Sequence, residues 1–600
     1  MQNNQMNPLE QGAPWLANYG DVPFHLEYPN VSIADAVLET AEKEKDFPAI
    51  SFMGKTFSYT VLVEKINQAA AGFVALGVKK GDMVTICMPN VPQAVFCMYA
   101  LNRIGAVASM IHPLSAVSEI IYYLKEVKSD YLLTLDQFYS KVAEVEKTYP
   151  VKKVIITSAA DELGAVKSAA FKLMNAKKNK VNKEDPSVIF WKDFIGNGKK
   201  VDLAKYIVHM PANETAVILF SGGTTGLRFN STESESPLFS GGTTGVTKGI
   251  QLSGMNFNAL GLQTAAMCNS VVRHARMLAA MPIFHGFGLG VCIHTMLEVG
   301  GTSILVPQFN VKKYAELIKK EKPNYIAGVP TLFEAITRNP YLDGEKLDYL
   351  RGVFSGGDSL SVELKRRFDA FLEAHGATVH VREGYGTTEC VTASCLTPYN
   401  QEREGSIGLP YPDTYYQICA VGTNDEVPYG ELGEICLRGP SVMKGYLNHK
   451  EENANTLRTH SDGHVWLHTG DLGSMDKDGF IYFKQRIKRM IVTSGYNVYP
   501  SQLENIIDGH DAVQMSCVIG VKDPYKMEKV LAYVVLRDGF EPSEELRQDI
   551  LNYCKKHIAK YAMPYTIEFR SELPKTLVGK IAYTVLEKEA NADLAKELVS

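Results

Sequence analysis

The 600-residue sequence contains no Cys-x-x-Cys pair and no cysteine at zinc spacing from a histidine, although it has ten cysteines. These cysteines are scattered along the chain. Scattered cysteines without paired spacing are typical of reduced thiols rather than of a disulfide framework or a zinc motif. We therefore expect reduced, mostly buried thiols in a cytoplasmic protein.

The sequence also lacks an arginine-rich stripe, a signal peptide and a clear membrane span. Its formal net charge of −5 argues against a general nucleic-acid binder. Residues 1–7 are polar and uncharged, unlike a secretory signal. The apolar stretch Met277–Val306 is interrupted by His285, His294 and Glu298. We expect a buried strand, turn and helix there rather than a transmembrane segment.

A chain of this length, 45% hydrophobic, is too large for one core, so we expect at least two domains. Strand-like and helix-like segments alternate in its first part. The predicted helices are Ser32–Glu44, one opened by Phe57–Thr60 with Ser58 or Thr60 as N-cap, and Pro92–Ile104. The predicted strands are Met83–Met88, Val107–Ile111, Tyr131–Leu135 and Val154–Thr157. This alternation predicts parallel sheets covered by helices on both faces.

The pattern changes twice further along the chain. Residues 415–485 contain short strands separated by glycine-rich turns. After Arg489 a compact α+β pattern follows, with predicted helices Pro500–Ile507 and Glu544–Ala559 and predicted strands Met515–Val521 and Val530–Leu536. The predicted fold class is α/β: a large N-terminal domain of helix-covered sheets with a β-rich subdomain, and a small α+β C-terminal domain.

A lysine-rich stretch between Lys167 and Lys200 includes the apolar residues of Phe171–Met174. Such a stretch could make weak contact with an acidic membrane surface. We favour a solvated helix and loop, because the apolar face is short.

An octapeptide, Leu-Phe-Ser-Gly-Gly-Thr-Thr-Gly, occurs twice, at Leu219–Gly226 and at Leu238–Gly245. Only the second copy continues into Val-Thr-Lys-Gly, which ends at Gly249. Glycines let backbone N–H groups approach an anion, hydroxyls donate hydrogen bonds and a lysine adds positive charge. The pattern predicts a loop that binds nucleotide phosphates, although it is not a Walker A loop. The alternative for a single copy is an ordinary Gly/Thr surface turn.

Four more motifs follow this loop in order: Gly384-Tyr385-Gly386-Thr387-Thr388-Glu389, Thr469-Gly470-Asp471, Arg486-Ile487-Lys488 and Pro574-Lys575-Thr576-Leu577-Val578-Gly579-Lys580. Together with the loop at Ser240–Gly249 they resemble the adenylate-forming superfamily, which includes acyl-CoA synthetases, peptide-synthetase adenylation domains and beetle luciferases. Each motif alone is weak, but five in register are specific, and the resemblance extends from Ile33 to Leu586. It implies an N-terminal adenylation domain at residues 1–487 and a mobile C-terminal lid at residues 488–600.

The resemblance implies an ATP site whose phosphate loop is formed by Ser240, Gly241, Gly242, Thr243, Thr244, Gly245 and Lys248. Gly356, Gly357 and Asp358 would lie against the adenine, although an acidic loop after a strand is also a common helix cap. Tyr385, between Gly384 and Gly386, would stack on the base. Without the resemblance, a core tyrosine in a tight turn would be the simpler interpretation.

The resemblance also implies which three residues contact the metal, the ribose and the phosphates. Glu389, next to Thr388, would bind Mg²⁺, because Mg²⁺ on ATP phosphates prefers one or two carboxylates plus water. Asp471 would accept hydrogen bonds from the ribose hydroxyls, and Arg486 would hold ribose or phosphate oxygens. A lone Thr-Gly-Asp is usually a turn. The family commonly has Gly or Asp before this arginine, whereas this chain has Gln485.

The resemblance assigns Lys580 to adenylation, bridging the acyl carboxylate and the α-phosphate. Lys488 matches the hinge about which the C-terminal domain swings, and Gly495-Tyr496-Asn497 would line the approach of CoA. His285 matches a position at the mouth of the acyl pocket, with Phe287 and Phe354 as further lining residues. A buried histidine that caps a helix is the alternative for His285.

The duplication adds 19 residues, Ser221–Phe239, to the phosphate loop (239 − 221 + 1). Either copy could occupy the loop site; we favour the second, because Lys248 and the segment after it must keep their register. Glu233 and Glu235 would then lie near ATP and weaken its binding unless solvent surrounds them. The hypothesis is retained activity with reduced ATP affinity; a sequence rearrangement is the alternative.

The function implied is ATP- and Mg²⁺-dependent activation of a small-molecule carboxylic acid, followed by transfer of the acyl group to CoA. The spacing and the lysine-rich segment resemble bacterial fatty-acid–CoA ligases, so a medium- or long-chain fatty acid is the first choice and an aromatic or bile-type acid the alternative. Two other classes remain open: an enzyme that loads a carrier-protein thiol, and a non-catalytic relative disabled by the insertion.

Overall fold

The computed structural model describes residues 13–164, 167–169, 171, 181–220, 247–269, 272–308, 310–523, 525–576 and 580–597. The described residues form two large sheets and, in addition, a smaller β-rich sheet and a C-terminal sheet. Helices pack against these sheets. The predicted α/β fold class is confirmed.

The first large sheet is mainly parallel and carries one edge of the candidate site. Neighbouring strands within the described residues run in the order Leu409–Pro410, Cys395–Leu396, Val381–Tyr385, Gly352–Ser355, Tyr325–Gly328, Arg276–Ala279, Thr302–Leu305, Pro48–Phe52 and Lys55–Ser58. The strands from Val381–Tyr385 to Pro48–Phe52 pair in parallel.

The second large sheet contains most of the strands predicted in the first part of the chain. Its order within the described residues is Gly445–Tyr446, Gly249–Ser253, Thr215–Phe220, Val107–Met110, Met83–Cys87, Tyr131–Leu135, Lys153–Thr157 and Val188–Phe190. The strands from Thr215–Phe220 onward in this order pair in parallel. The predicted parallel arrangement is therefore confirmed for both large sheets.

Helices cover these sheets, and serines begin two of them. Ser32 Oγ accepts a hydrogen bond from the Asp35 N–H over 3.0 Å, and Ser58 Oγ accepts one from the Val61 N–H over 3.4 Å. Of the two N-caps predicted for the second helix, Ser58 is the one used. The α-helices before the C-terminal sheet are Ile33–Lys43, Tyr59–Ala75, Pro92–Arg103, Val117–Val127, Tyr139–Glu146, Trp191–Gly198, Gly254–Met267, Thr295–Glu298, Val311–Glu321, Pro330–Thr337, Val362–Ala374 and Lys450–Thr456.

Short 3₁₀ turns connect several of these elements: Pro14–Asn18, Asp136–Phe138, Ala159–Glu162, Leu203–Lys205, Pro340–Leu342, Thr388–Cys390, Ile487–Arg489 and Lys560–Ala562. The apolar stretch Met277–Val306 forms a strand, a π-helix at Phe287–His294, the helix Thr295–Glu298 and a second strand. None of the described helices has the length and apolar character needed to span a bilayer.

The β-rich sheet follows the first large sheet in the chain. Its strands are Tyr415–Cys419, Gly433–Arg438, Val465–Met475, Leu457–Thr459 and Ile481–Arg486. One face of it, with Ile418, Ile435 and Leu467, belongs to the main hydrophobic core shared with the two large sheets. The opposite face carries polar side chains and two cysteines.

The C-terminal sheet has hydrophobic clusters of its own. Its strands are Tyr496–Val498, Ile491–Thr493, Met527–Leu536, Val513–Asp523 and Thr566–Phe569, and its α-helices are Pro500–Asp508, Glu544–His557 and Tyr583–Glu597. The described core residues from Ile491 onward pack with one another, whereas those up to Ile481 belong to clusters of the preceding sheets. The domain boundary at residues 487 and 488 stays a prediction.

Candidate active site

Two neighbouring parallel strands place the first candidate residues side by side. The strand Gly352–Ser355 runs into Gly356–Asp358, and the strand Val381–Tyr385 runs into the turn Thr388–Cys390. Ligands of α/β sheets bind at such carboxyl ends of strands. Gly357 has φ +84°, which favours glycine, and a Cβ at Gly386 would lie 2.2 Å from the Thr392 carbonyl oxygen.

Asp471 connects this sheet edge to the β-rich sheet. The Tyr385 hydroxyl donates a hydrogen bond to Asp471 Oδ2 over 2.8 Å. Asp471 and Arg486 are register partners in the antiparallel pair Val465–Met475 and Ile481–Arg486, with Arg486 Nε 3.4 Å from Asp471 Oδ1. The Tyr385 ring also lies 5.8 Å from the Phe483 ring, centroid to centroid. Three separate sequence motifs therefore meet at one carboxylate.

Asp471 has an unusual electrostatic environment because it is buried. Burial raises the pKa of Asp471, while the nearby Arg486 charge and the Tyr385 hydroxyl act in the opposite direction. The Asp471 charge in turn raises the pKa of Arg486. The Arg486 side chain remains 54% exposed and can reach a bound anion as well as Asp471.

Glu389 belongs to a second polar group at the same edge. The Tyr446 hydroxyl donates to Glu389 Oε1 over 2.8 Å, and no described residue makes a hydrogen bond to Oε2. Lys248 Nζ lies 4.9 Å from the Tyr446 ring centroid and 3.8 Å from Glu452 Oε1. The pairing of the strands Gly249–Ser253 and Gly445–Tyr446 brings Lys248 and Tyr446 together.

Lys580 reaches the site from the C-terminal part of the chain. A Cβ built on Gly357 would lie 3.7 Å from Lys580 Cε. The backbone at Lys580 is fixed by two bonds: its N–H donates to Thr576 Oγ1 over 3.1 Å, and its carbonyl accepts from the Thr576 N–H over 2.7 Å. Burial lowers the pKa of Lys580, Asp358 and Asp471 raise it, and Arg486 lowers it. Lys580, Asp358 and Asp471 thus share one electrostatic neighbourhood.

His285 lies close enough to Lys580 to sense its charge. Burial, aided by the Lys580 charge, lowers the pKa of His285 to about 3, so the ring is neutral at physiological pH. Its Nδ1 accepts a hydrogen bond from the Phe287 N–H over 3.2 Å, which leaves the ring proton on Nε2. Phe287 and Phe354 are both buried. The π-helix follows directly after Gly286, where a Cβ would lie only 1.4 Å from the Val391 carbonyl oxygen.

Gly495 and Tyr496 lie apart from this group, whereas Lys488 is within electrostatic reach of it. Lys488 lies in the turn Ile487–Arg489 with an exposed side chain, and partial desolvation together with the charges of Lys248 and Arg486 lowers its pKa. Gly495 has φ +83°, and the half-exposed Tyr496 stacks on Tyr561 with ring centroids 4.7 Å apart. No hydrogen bond or ring contact joins Tyr496 to the other candidate residues within the described chain.

The phosphate-loop candidates from Ser240 to Gly245 lie outside the described residues, as does the insertion Ser221–Phe239. The chain enters this segment from the strand Thr215–Phe220 and leaves it into the strand Gly249–Ser253. These two strands are antiparallel, with Phe220 directly opposite Gly249. The added residues therefore lie within one hairpin connection, and which copy of the octapeptide is used stays a prediction.

The sequence analysis did not name Tyr446, and it noted Gln485 without predicting its environment. Tyr446 contacts both Glu389 and Lys248, and the only signal for it is the preceding Gly445, whose φ of +142° marks a special turn. Gln485, noted as a departure from the family, is 1% exposed, and neither atom of its side-chain amide has a hydrogen-bond partner among the described residues. The departure therefore leaves an unsatisfied buried amide next to Arg486.

Comparisons with known proteins agree with this geometry. A family model described as AMP-binding enzyme matches residues 37–228 and 237–447, and one described as AMP-binding enzyme C-terminal domain matches residues 502–580. The interruption between 228 and 237 falls inside the doubled loop. The long-chain-fatty-acid–CoA ligase of Bacillus subtilis is 32% identical over 579 residues, which cover 96% of this chain and 97% of that protein.

Solved structures share the fold over most of the chain. ATP-bound MatB from Rhodopseudomonas palustris is 25% identical, with a TM-score of 0.75 over 93% of this chain and 98% of that one. The anthranilate CoA ligase AuaEII in complex with anthranoyl-AMP is 22% identical, with a TM-score of 0.77 over 96% of this chain and 99% of that one.

The fold and the assembled motifs define an adenylate-forming enzyme. The chain belongs to the AMP-binding enzyme family, and it is an acid–thiol ligase that forms AMP. Enzymes of this family use ATP and CoA with a small-molecule acid.

Proposed function

We propose that this protein is a fatty-acid–CoA ligase that acts on medium- or long-chain acids. In the first step a carboxylate oxygen of the acid attacks the α-phosphorus of ATP, the bond to the β-phosphate breaks, and acyl-AMP and pyrophosphate form. In the second step the CoA thiol attacks the acyl carbon, loses its proton, and displaces AMP. The single observation that carries this proposal is the position of Lys580, next to Gly357 and within electrostatic reach of Asp358, Asp471 and Arg486.

Asp471 and Tyr385 are proposed to bind the nucleoside. Tyr385 presents its ring beside Gly384 and Gly386, and its hydroxyl orients the Asp471 carboxylate toward the ribose hydroxyls. Arg486, held by Asp471 yet half-exposed, is suited to hold ribose or phosphate oxygens. Gly357 and Asp358 would border the adenine at the adjacent strand end.

Lys580 is proposed to stabilise the charge that develops at the α-phosphate. A fixed cation aimed at a developing anion in a site shielded from water contributes about 3–4 kcal/mol, or roughly 10²–10³ in rate. The Thr576 turn holds the backbone of Lys580, and Asp358 and Asp471 attract its ammonium group. The neutral His285 beside it adds no competing charge and would close the mouth of the acyl pocket with Phe287 and Phe354.

Glu389 fits the requirement for a magnesium ligand. It offers a carboxylate with one oxygen fixed by Tyr446 and no described partner on the other, and Mg²⁺ takes such hard oxygen donors together with phosphate and water. When bound, the ion would neutralise phosphate charge. Lys248 and the loop Ser240–Gly245 would supply the remaining positive charge and N–H donors, and Thr388 would lie beside Glu389.

The transfer step is proposed to use a second domain arrangement about Lys488. Lys488 is exposed between the β-rich and C-terminal sheets, where a few residues could absorb the rotation. Gly495 and Tyr496 would then line the approach of CoA. Tyr496 is already on the surface, stacked on Tyr561.

The choice of a fatty acid is supported by the similarity to the long-chain-fatty-acid–CoA ligase of Bacillus subtilis and by the buried apolar residues Phe287 and Phe354. An aromatic acid is the second candidate, because the AuaEII structure, which shares this fold, holds anthranoyl-AMP. Pyrophosphate release with ATP, Mg²⁺ and a panel of fatty and aromatic acids tests the choice. Transfer to CoA compared with a phosphopantetheinyl carrier protein tests the acceptor.

A further inference from the structure

The segment Thr469–Asp471 is a bulge in the pairing of two strands of the β-rich sheet. On the facing strand one residue separates Glu434 from Cys436, whereas three residues separate their register partners, Leu472 and His468. The bulged strand therefore carries two extra residues at this point. Bulges re-aim side chains and are common next to active sites. This one ends at the carboxylate that is proposed to bind the ribose.

Side chains hold the backbone of the bulge, because extra residues in a strand interrupt the ladder of backbone hydrogen bonds. The Gly470 N–H donates to Glu434 Oε1 over 2.9 Å, and the Asp471 N–H donates to Thr469 Oγ1 over 3.1 Å. The Thr469 hydroxyl in turn donates to the Ile435 carbonyl over 2.7 Å. Gly470 has φ +71°, a conformation that favours glycine. The direction of the chain at Asp471 thus depends on Glu434 and Thr469.

A chain of polar side chains stands behind Glu434. Its Oε2 atom lies 2.9 Å from His468 Nδ1, and His468 Nε2 lies 2.9 Å from His460 Nε2. His460 Nδ1 lies 2.9 Å from the side-chain amide of Gln417. Cys436 Sγ is a weaker neighbour, 3.4 Å from His468 Nδ1. We call Glu434, His468, His460 and Gln417 the Glu434 chain; its first three members are at most 6% exposed.

The hydrogen bonds of the Glu434 chain run in one direction when both histidines are neutral. The Glu434 carboxylate accepts, so His468 Nδ1 donates to it and His468 Nε2 accepts from the His460 Nε2–H. His460 Nδ1 then accepts from the Gln417 amide, whose nitrogen and oxygen exchange places by a half-turn of the amide group. Burial lowers the pKa of His460, and the nearby His468 and Arg458 act in the same direction, so its ring is neutral at physiological pH.

Glu434 keeps its charge in this position. Burial acts to raise its pKa, but the bonds from His468 and from the Gly470 N–H outweigh burial and lower the pKa below its usual value. A carboxylate accepts stronger hydrogen bonds than a neutral group does. The Glu434 chain therefore fixes one carboxylate oxygen, and the other oxygen fixes the bulge.

We propose that Glu434 and His468 are positioning residues for the nucleoside site. Glu434 holds the Gly470 N–H and so sets the direction in which Asp471 presents its carboxylate to the ribose hydroxyls. His468 acts one step further away, by holding the Glu434 carboxylate. This role rests on the proposed function, in which Asp471 binds the ribose.

Steady-state kinetics separate positioning from general support of the fold. His468→Leu, which removes the bond to Glu434, should raise KM for ATP roughly five- to ten-fold and change kcat less. His468→Asn should recover most of the loss, because the asparagine amide nitrogen can occupy the position of the histidine Nδ1. Leu437→Val, a buried substitution on the opposite face of the strand Gly433–Arg438, is the control and should leave KM for ATP unchanged. A wild-type KM in His468→Leu, or no recovery with asparagine, would overturn the proposal.

A binding measurement with two nucleotides isolates the ribose contact. Calorimetry gives Kd for AMP and for the dideoxy analogue of AMP, which lacks both ribose hydroxyls, and it needs no acyl substrate. The wild-type protein should prefer AMP. This preference should shrink in His468→Leu and in Glu434→Gln, which keeps the shape of the side chain but not its charge. A role in stability alone would weaken the binding of both nucleotides equally and leave the preference unchanged.

The positioning role and the proposed function can fail separately in this measurement. A wild-type protein without a preference for AMP over its dideoxy analogue would contradict ribose binding by Asp471, and the positioning role with it. A wild-type preference that His468→Leu and Glu434→Gln retain in full would overturn the positioning role alone and leave the proposed function intact.

Discussion

The Tyr385 hydroxyl donates to Asp471 Oδ2 over 2.8 Å, and this bond joins the edge of the first large sheet to the β-rich sheet. The two residues are 86 positions apart in the sequence. Arg486 contacts the other oxygen of the same carboxylate. Asp471 is therefore the point at which the motifs predicted to bind the nucleoside come together.

Replacing Tyr385 with phenylalanine should raise KM for ATP roughly ten-fold while kcat changes less. The hydrogen bond to a charged group is worth about 1.5–3 kcal/mol, and its loss leaves the Asp471 carboxylate poorly oriented. The Tyr385 hydroxyl also lowers the pKa of Asp471, so without it the carboxylate protonates at higher pH. The increase in KM should therefore grow as the pH falls.

Tyr482→Phe is the matched control, because its hydroxyl donates to Asp476 in the same sheet, over 3.2 Å, away from the nucleotide residues. Its KM for ATP should stay at the wild-type value. Equal effects of the two substitutions would argue against a role for the Tyr385–Asp471 bond.

Replacing Lys580 with alanine should slow acyl-AMP formation by roughly 10²–10³, which corresponds to about 3–4 kcal/mol. Transfer to CoA from chemically prepared acyl-AMP should be much less affected, because that step does not require the charge of Lys580. The two half-reactions are measured as ATP–pyrophosphate exchange and as CoA consumption. Lys575→Ala, an exposed lysine on the same turn, is the control. Equal loss in both half-reactions would contradict the assignment.

The adenylation rate should decrease at alkaline pH. The decrease should begin at a lower pH than the pKa of an ordinary lysine would give. The ammonium form of Lys580 is present below its pKa, and burial lowers that pKa from 10.5. The decline therefore marks loss of the charged form. Arginine stays charged up to about pH 12 and beyond, so Lys580→Arg, although slower, should lack this alkaline decline. The same decline in both proteins would assign it to another group.

Replacing Gln485 with methionine should stabilise the protein by roughly 1–2 kcal/mol, because an unsatisfied buried amide costs about that much. Methionine has a similar shape without the two unpaired polar atoms. Gln93→Met should destabilise, since Gln93 Nε2 donates to Thr157 Oγ1 over 3.1 Å and to the Ser158 carbonyl over 2.8 Å. Chemical denaturation measures both. A destabilised Gln485→Met protein would show that the amide has a partner.

Deleting Ser221–Phe239 should restore an uninterrupted phosphate loop and lower KM for ATP. Phe220 and Gly249 are register partners, so the shortened hairpin can close without shifting either strand. The deletion also removes Glu233 and Glu235, whose charges are predicted to weaken ATP binding. Pyrophosphate release at varied ATP, measured for the full-length and shortened chains, tests this. An unchanged or higher KM in the shortened chain would contradict the hypothesis that the added residues reduce ATP affinity.

Local sequence patterns predicted much of the fold. The strand Tyr131–Leu135 has the predicted bounds, and the helix predicted at Pro92–Ile104 ends one residue earlier, at Arg103. Ten buried, free cysteines match the expectation of reduced thiols. These features depend on periodicity and capping within a few residues.

Contacts between distant strands could not be predicted in this way. Tyr446 reaches Glu389 only because the strand Gly445–Tyr446 pairs with Gly249–Ser253. The unsatisfied Gln485 amide likewise depends on which side chains surround it.

The most direct test of the whole account is acid-dependent pyrophosphate release by the full-length protein with ATP, Mg²⁺ and CoA, across a panel of fatty and aromatic acids. The account predicts release with a medium- or long-chain fatty acid, accompanied by equal amounts of AMP and acyl-CoA, and its loss in Lys580→Ala. Absence of acid-dependent release from both the full-length chain and the chain lacking Ser221–Phe239 would contradict it.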